Sequence, residues 1–217
     1  HRLQAAYPEL WPGIVTAGNQ PPPMALRVNR RRCMREEYRM RLSAEGIDAT
    51  PCGEAGLMLD RPVPVERLPG FADGLVSVQD PAAQMAAALL DPAPGSRVLD
   101  ACAAPGGKAA HLLERADLDL LALDLKPSRC RRVAENLARL GLHASLKAAD
   151  CARLDTWWDG RPFDAVLTDV PCTASGVVRR NPDAKWLRRE TDIASFARTQ
   201  ARILDALWQV VQPGGKL

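Results

Sequence analysis

The stretch Leu99-Asp100-Ala101-Cys102-Ala103-Ala104-Pro105-Gly106-Gly107-Lys108 predicts the fold. An apolar strand ends at Asp100, a glycine-rich loop follows, and an Ala- and Leu-rich helix continues to about Glu114. The glycines let a ligand approach the backbone closely, and the helix start offers free N–H groups to a carboxylate. A plain tight turn is the alternative for these residues taken alone.

The spacing within this loop excludes two phosphate-binding motifs. A Walker loop requires glycine where Cys102 stands and Ser or Thr after Lys108, which Ala109 follows. A dinucleotide fingerprint requires G-x-G-x-x-G, whereas the loop contains only the adjacent pair Gly106-Gly107. The second mismatch disfavours a nucleotide-dependent oxidoreductase on a related fold.

Strands and helices alternate from residue 75 onward, which predicts an α/β domain. Repetition of strand, helix and strand with apolar strands is typical of a parallel, doubly wound sheet. Helices are predicted at 81–90, 107–114, 127–140 and 191–211, and strands at 97–101, 120–123, 144–148, 163–168 and 215–217.

A small α+β unit is predicted ahead of this sheet. After a short helical segment in residues 1–20, it contains strands at 24–29 and 56–60 and a basic helix at 31–45. We therefore predict two domains, with bounds 1–74 and 75–217. Because the chain begins at His1 and stops inside a predicted strand, we expect it to be a piece of a longer protein.

Four predicted strands end in aspartate: Asp100, Asp124, Asp150 and Asp169. Right-handed crossovers place the carboxyl ends of parallel strands at one edge, where ligands bind in doubly wound sheets. Asp124 follows Gly106 by 18 residues, near the interval at which an acid reaches a ribose diol. Asp150, one strand over, is predicted to meet the adenine end of a nucleoside. Either residue could instead simply cap the next helix.

The stretch Asp169-Val170-Pro171-Cys172-Thr173-Ala174-Ser175-Gly176 indicates chemistry on a pyrimidine. Carbon 5 of cytosine becomes nucleophilic when a thiolate adds to C6, and a neighbouring acid can bond the base near N3 or N4. An acid followed by Pro-Cys suits that reaction, whereas amino-group methyltransferases carry Asn/Asp-Pro-Pro-Tyr here. A structural cysteine after a turn proline is the alternative for Cys172.

Two basic clusters indicate a polyanionic partner, because guanidinium groups pair bidentately with phosphate. For the cluster in residues 27–41, the alternative is a solvated helix face whose charge is partly balanced by Glu36 and Glu37. The first contains Arg27, Arg30, Arg31, Arg32, Arg35, Arg39 and Arg41, and the second Arg179, Arg180, Lys185, Arg188 and Arg189.

Composition narrows the class of protein. The chain is 47% hydrophobic and 25% charged, with a net charge of +3, as in an ordinary folded protein. Its six cysteines include no CxxC pair, which argues against a zinc site or a disulfide framework and fits a reducing cytoplasm. No apolar run is long enough for a membrane span. We expect a cytoplasmic monomer without a metal.

Four motifs carry a resemblance to the RNA cytosine-C5 methyltransferases of the Sun/Fmu (RsmB) type. The resemblance extends to AYPELWPGI and PPPMALRVN in residues 1–60, which look like that family's RNA-binding region. The motifs are SVQDPAAQ at 77–84, CAAPGGK at 102–108, DVPCTASG at 169–176 and VVRRNPDAKW at 177–186.

This resemblance implies a Rossmann-like domain that binds S-adenosylmethionine (SAM) and is preceded by a small RNA-binding domain. The resemblance implies that the RNA is ribosomal, and from the two basic clusters we expect Arg30, Arg31, Arg32, Arg179 and Arg180 to bind its phosphates. It implies SAM contacts by Asp124, Asp150, Asp169 and the loop residues Cys102, Ala103, Ala104, Pro105, Gly106, Gly107 and Lys108.

The resemblance also implies the roles of two cysteines. Cys172 is a catalytic cysteine but not the attacking one, and Asp169 orients the base. The attacking thiol of the family lies in a Thr-Cys-Ser motif after the fifth strand, which we expect beyond Leu217. The alternative function is therefore a module that binds SAM and RNA without catalysis.

Overall fold

The computed structural model describes residues 2–217. Contacts between Cα atoms divide these residues into two compact units. The larger unit comprises residues 23–170 and 201–217, and the smaller unit comprises residues 2–22 and 171–200.

The elements in chain order are α1 (Arg2–Ala6), α2 (Trp11–Gly18), β1 (Met24–Val28), α3 (Arg35–Ala44), β2 (Ala49–Cys52), β3 (Gly56–Leu59), β4 (Val76–Val78), α4 (Pro81–Leu90), β5 (Arg97–Asp100), α5 (Gly107–Arg115), β6 (Asp119–Asp124), α6 (Pro127–Leu140), β7 (Ser145–Ala148), β8 (Phe163–Leu167), α7 (Ala184–Leu187), α8 (Glu190–Trp208) and β9 (Val211–Lys216).

Strands β1 to β4 form an antiparallel sheet in the order β2-β3-β1-β4, the small sheet. Helix α3 buries Tyr38 and Leu42 against it. Strands β2 and β4 were missed by the sequence analysis, since each is short and lacks a clear alternation. The small sheet extends to Val78, four residues past the predicted boundary at residue 74. The assignment of 1–74 to RNA binding stays a prediction.

The predicted basic helix at 31–45 is wrong at its start, because α3 begins only at Arg35. Residues 30–33 form a turn that Asn29 holds. The Asn29 carbonyl accepts hydrogen bonds from the amides of Arg32 and Cys33, and its side-chain oxygen accepts one from Arg31 N at 3.2 Å. Local bonding of an asparagine side chain to the backbone competes with helix formation, which explains the delay.

Strands β5 to β9 form the predicted parallel sheet, in the order β7-β6-β5-β8-β9. All four strand pairings are parallel, and the strand order reverses between β5 and β8. The last strand begins at Val211, earlier than the predicted 215. A register irregularity between Phe163 and Ala165 on β8 accommodates Pro213-Gly214-Gly215 within β9.

Helices cover both faces of the parallel sheet, as a doubly wound fold requires. One face packs on α4, α5 and α6, and Val133, Leu137 and Leu140 of α6 are buried there. The other face packs on Ile203 and Leu207 of α8. Helix α4 starts where the sequence predicts, because the Asp80 carboxylate accepts the Ala82 amide at 3.0 Å.

In the smaller unit, residues 2–22 contact residues 171–200. The Arg179 guanidinium donates to the Pro21 carbonyl at 2.6 Å, and the Lys185 ammonium donates to Asn19 Oδ1 at 2.7 Å. Helix α8 begins in this unit, where the Arg188 guanidinium lies 5.5 Å from the centre of the Phe196 ring. In residues 2–217 no helix is both long and apolar enough to cross a membrane.

Candidate functional site

The structure confirms that four aspartates follow the strands at one edge of the parallel sheet. Asp100 and Asp124 are the last residues of β5 and β6, and Asp150 and Asp169 come two residues after β7 and β8. The strand order places them in the sequence Asp150, Asp124, Asp100, Asp169 along that edge. Asp100 and Asp169 flank the reversal between β5 and β8, where a doubly wound sheet opens a crevice for ligands.

Asp100 is the most unusual of these carboxylates. Its side chain is 1% exposed, and neither oxygen accepts a hydrogen bond of good geometry from residues 2–217. Burial raises the pKa of Asp100 from 3.8 to about 7, because desolvation penalises the charged form. A buried carboxylate without donors is costly and marks a place where a ligand can supply them. The sequence predicts Asp100 at this edge, but none of its motifs assigns a role to this residue.

The glycine-rich loop turns directly into helix α5. Gly106 has φ +97°, a conformation that disfavours any side chain, and its amide donates to the Ala103 carbonyl at 2.6 Å. A Cβ atom at this position would also lie 3.1 Å from Val133 Cγ1. Helix α5 starts at Gly107, so the amides of its first turn have no partner within the helix. They are the N–H donors that the sequence predicts to face an anion, and their role in binding one stays a prediction.

Asp124 fastens this loop to the sheet. It is 3% exposed, its Oδ2 accepts the Ala104 amide at 3.2 Å, and its Oδ1 accepts the Lys126 amide at 3.4 Å. The Arg129 guanidinium lies 3.5 Å from Oδ1. Since each carboxylate oxygen can accept two hydrogen bonds, these contacts leave acceptor capacity for a ligand. Asp124 thus bonds the amide of Lys126, the residue before α6, but no side chain caps that helix, so the capping alternative is wrong for Asp124.

The two outer aspartates are paired with basic side chains of the larger unit. Asp150 accepts the Ala152 amide and the Arg202 guanidinium, both at 3.0 Å. Asp169 pairs with the Lys108 ammonium at 2.5 Å, across the reversal of strand order. The structure therefore brings three parts of the predicted site together in the larger unit. They are the glycine-rich loop, Asp124 at the end of β6 and Asp169 after β8.

The six cysteines differ in exposure, and among the described residues only Cys172 is exposed. It lies in the smaller unit, where its sulfur accepts the Ala174 amide at 3.3 Å. Cys102 differs, because a hydrogen bond with Cys151 and burial raise the pKa of its thiol above the usual range. Cys102 is therefore held as a neutral thiol. The exposure of Cys172 disfavours the alternative of a buried structural cysteine.

The inclusion of Arg27 in the basic cluster was wrong. Its side chain is 0% exposed and pairs bidentately with Glu114, at 2.8 Å from Nε and 2.7 Å from Nη2. The burial pattern of β1 gives the reason, since Leu26, Arg27 and Val28 are all buried. An arginine between apolar residues of a strand was the signal that could have identified it as an internal residue.

The neighbouring arginines lie at the surface but are engaged. Arg30 pairs with Glu54 and Arg31 with Asp117 in exposed ion pairs, which contribute little to stability and exchange readily. Arg32 donates to the carbonyls of Leu140 at 3.1 Å and Asp73 at 2.8 Å, which gives it a structural role. In the second cluster, Arg179 is bonded to Pro21 and Arg180 is exposed.

Two family models match the chain. The model described as "16S rRNA methyltransferase RsmB/F" matches residues 87–217, and a ferredoxin-like domain described as RsmF/B-like matches residues 1–66. The second match covers most of the small sheet, and the first covers the whole parallel sheet.

Curated relatives and a solved structure agree with these models. Proteins named "Ribosomal RNA small subunit methyltransferase B" from Pseudomonas syringae pv. tomato and Xylella fastidiosa are 52% and 53% identical over 99% and 100% of the chain. The chain spans about half of their length, 49% and 51%. A methyltransferase homologue from Pyrococcus horikoshii is 31% identical, with a TM-score of 0.82 over 96% of this chain and 67% of that one.

Because the Asp100 carboxylate is buried without a hydrogen bond of good geometry, we expect its replacement by a neutral side chain to stabilise the fold. Because the folded-state pKa of Asp100, about 7, exceeds its unfolded value of 3.8, its ionisation destabilises the fold above pH 7. This cost declines as the pH falls from 7 toward 3.8. We expect Asp100→Asn to raise the free energy of unfolding by roughly 1–3 kcal/mol at pH 8 and by less at pH 5.

Urea denaturation at both pH values measures this difference. Asp119→Asn is the control, because Asp119 begins β6 at the opposite edge and its side chain is 61% exposed. A gain for Asp100→Asn that is the same at pH 8 and pH 5 would contradict the assignment of the cost to ionisation.

Proposed function

The chain belongs to the 16S rRNA methyltransferase RsmB/F family, and from this membership we propose that it forms the cofactor-binding part of an RNA methyltransferase. The proposed enzyme transfers a methyl group from SAM to C5 of cytosine in small-subunit ribosomal RNA. The observation that carries this proposal is the edge of the parallel sheet, where buried Asp100, which accepts no hydrogen bond of good geometry, lies beside the first-turn amides of α5.

The residues at this edge fit SAM, whose methionine end carries an ammonium and a carboxylate. The oxygens of Asp100 accept no hydrogen bond of good geometry, and an ammonium group would supply well-aligned donors while favouring the ionised form of this acid. The N–H groups in the first turn of α5, which have no partner within the helix, suit the carboxylate. We assign the loop from Cys102 to Lys108 to the methionine end on this basis.

The nucleoside end of SAM is assigned to the two aspartates on the other side of β5. Asp124 keeps acceptor capacity on both oxygens, which suits the two ribose hydroxyls. Asp150 follows the adjacent strand β7 and is assigned to the adenine end. The order Asp100, Asp124, Asp150 along the edge matches the order of methionine, ribose and adenine in the cofactor.

The base is prepared for reaction by an attacking thiol expected beyond Leu217 together with groups of this chain. When bound, SAM supplies an electrophilic methyl group on a positively charged sulfur. Addition of a cysteine thiolate to C6 makes C5 nucleophilic, and Asp169, fixed by Lys108, orients the base through N3 or N4. After methylation Cys172, acting as the base, accepts the C5 proton, the electrons of the C5–H bond restore the C5–C6 double bond, and the attacking thiolate departs from C6 with its bonding electrons. We assign Cys172 to this release step.

RNA binding is assigned to the exposed arginines. The weak pairs of Arg30 and Arg31 with acidic side chains can be exchanged for phosphates, and Arg179 and Arg180 supply further charge. Arg32 contributes less directly, because its guanidinium supports two backbone carbonyls.

The ribose assignment predicts a measurable loss of cofactor affinity. We expect Asp124→Ala to weaken SAM binding by roughly 1.5–3 kcal/mol, the range for hydrogen bonds that involve a charged group. Isothermal calorimetry measures the change, with Asp119→Ala at the opposite end of β6 as the control. A 2′-deoxyribose analogue of SAM distinguishes a direct contact between Asp124 and the ribose from an indirect effect of Asp124 through the loop amide that it holds. Wild type should discriminate against the analogue, and Asp124→Ala should not. Equal discrimination by both would remove Asp124 from the ribose site.

The RNA assignment predicts a change in the salt dependence of binding. Replacing Arg30 and Arg31 together by Gln should flatten the log–log slope of affinity against salt by about 0.7 for each lost contact with single-stranded RNA. The matched control replaces Arg153 and Arg161, which carry the same charge outside both basic clusters. An unchanged slope in the first variant would assign Arg30 and Arg31 to a solvated face.

The release role of Cys172 predicts a trapped intermediate. In a protein that joins this chain to a Thr-Cys-Ser motif, Cys172→Ala should still attack C6 and methylate, then remain attached to RNA. A denaturing gel should show a slowly migrating RNA-linked band, which the control Cys130→Ala should lack. Absence of the band would contradict the assignment.

The same assignment distinguishes an enzyme from a binding module. Residues 1–217 contain no Thr-Cys pair. We therefore expect this chain alone to bind SAM and RNA without transferring a methyl group. Methyl transfer by the 217-residue chain would instead make Cys172 the attacking thiol.

A further inference from the structure

Arg27 is the centre of a buried hydrogen-bond network that joins the small sheet to the glycine-rich loop. Besides its bidentate pair with Glu114, its Nη1 donates to Gln79 Oε1 at 2.5 Å and to the Gly107 carbonyl at 2.7 Å. Gln79 directly follows β4 and is itself buried. One guanidinium thus contacts the first residue of α5 and the residue just before its last.

The contact with Gly107 fixes the direction of a particular amide. A peptide bond is planar, so the Gly107 carbonyl and the Lys108 amide lie in one plane and point in opposite directions. A hydrogen bond that holds the carbonyl toward the small sheet therefore holds the Lys108 N–H away from it. That N–H belongs to the first turn of α5, whose amides have no partner within the helix.

Stability alone does not account for this arrangement. Burying an ion pair costs desolvation that its attraction often fails to recover, and well-packed apolar residues serve as well or better. The network nevertheless includes a donor aimed at a loop carbonyl. Arginine is suited to this task, because its planar fork presents several donors in fixed directions and lysine cannot reproduce them.

We propose that Arg27 is a positioning residue that sets the orientation of the Lys108 amide for the cofactor, and so couples the small sheet to SAM affinity. This inference rests on the proposed function, in which the start of α5 binds the SAM carboxylate. It gives the small sheet a role in cofactor binding in addition to RNA binding.

Arg139 provides a matched control. It also joins a helix of the parallel sheet to the region of the small sheet, since its Nη1 donates to the carbonyls of Phe71 at 2.6 Å and Val76 at 3.0 Å. Its guanidinium lies 4.3 Å from the centre of the Phe71 ring. None of its hydrogen bonds reaches residues 100–108. Loss of Arg139 therefore removes a bridging arginine that reaches the loop only indirectly, through Asn136, whose amide donates to the Pro105 carbonyl at 3.5 Å.

The first experiment compares SAM affinity with thermal stability. Arg27→Lys keeps the charge beside Glu114 but cannot make all four hydrogen bonds, and we expect it to weaken SAM binding about tenfold in calorimetry. Arg139→Lys should lower the melting temperature comparably while leaving SAM affinity within about twofold of wild type. Equal effects of the two variants on SAM affinity, or no effect of Arg27→Lys, would overturn the proposal.

The second experiment observes the amide itself in the absence of SAM. The chain has five lysines, so selective ¹⁵N-lysine labelling gives five backbone amide signals, and Lys108→Arg identifies the one from Lys108. The double variant Arg27→Gln with Glu114→Gln leaves no unpaired buried charge. It should shift the Lys108 signal while Lys147, on β7, stays in place. Arg139→Gln should shift neither.

The two experiments separate this inference from the proposed function. A wild-type chain that binds no SAM would contradict the proposed function, yet the Lys108 signal would still report on the contact. A wild-type chain that binds SAM, with a Lys108 signal unchanged in the double variant, would contradict only the positioning role of Arg27.

Discussion

The constraint on which this molecule depends is that parallel strands require crossover helices, so all strands of the sheet end at one edge. Each strand then delivers its last residues to the same place. Asp100, Asp124, Asp150 and Asp169 are distant in the sequence and neighbouring along that edge. The start of α5 lies at the same edge for the same reason, since it follows β5 by a short loop. The fold thus assembles acceptors and free amides before any ligand is present.

This edge of the sheet concentrates polar groups in buried positions, where the loss of water raises their free energy. Asp124 and Asp169 are satisfied by loop amides or by Lys108, which fixes the loop against the sheet. Asp100 is the exception, because it is buried without a donor of good geometry. A carboxylate that is costly in the free chain gains most when a cation reaches it, so the same burial that weakens the fold strengthens a ligand contact.

The small sheet is joined to the parallel sheet by side chains that reach backbone carbonyls. Arg27 extends from β1 to the start of α5, Arg32 extends from the turn after β1 to the end of α6, and Arg139 extends from α6 to β4. Each guanidinium donates to a backbone carbonyl near a helix end or within a strand. The network of Arg27 differs from the others because its target belongs to the glycine-rich loop. Structural cohesion and the geometry of the candidate cofactor site therefore share one guanidinium.

The sequence by itself determined the α/β class, the bounds of most strands and helices after residue 80, and the gathering of four aspartates at one edge. These features follow from local rules: the period of apolar residues, the Asp80-Pro81 helix start, the glycine at the end of α6 and the handedness of crossovers. Short strands such as Ala49–Cys52 escaped prediction, because only pairing with a neighbour makes them strands.

Only the tertiary structure decided which charged residues are buried. Arg27 lies in the same basic stretch of sequence as Arg30 and Arg31, yet it faces Glu114, 87 positions away, while the other two lie at the surface. Asp100 and Asp124 end neighbouring strands in the same way, yet only Asp124 finds donors. Burial and partnership depend on contacts between distant segments, and desolvation acts on the position a side chain reaches in space.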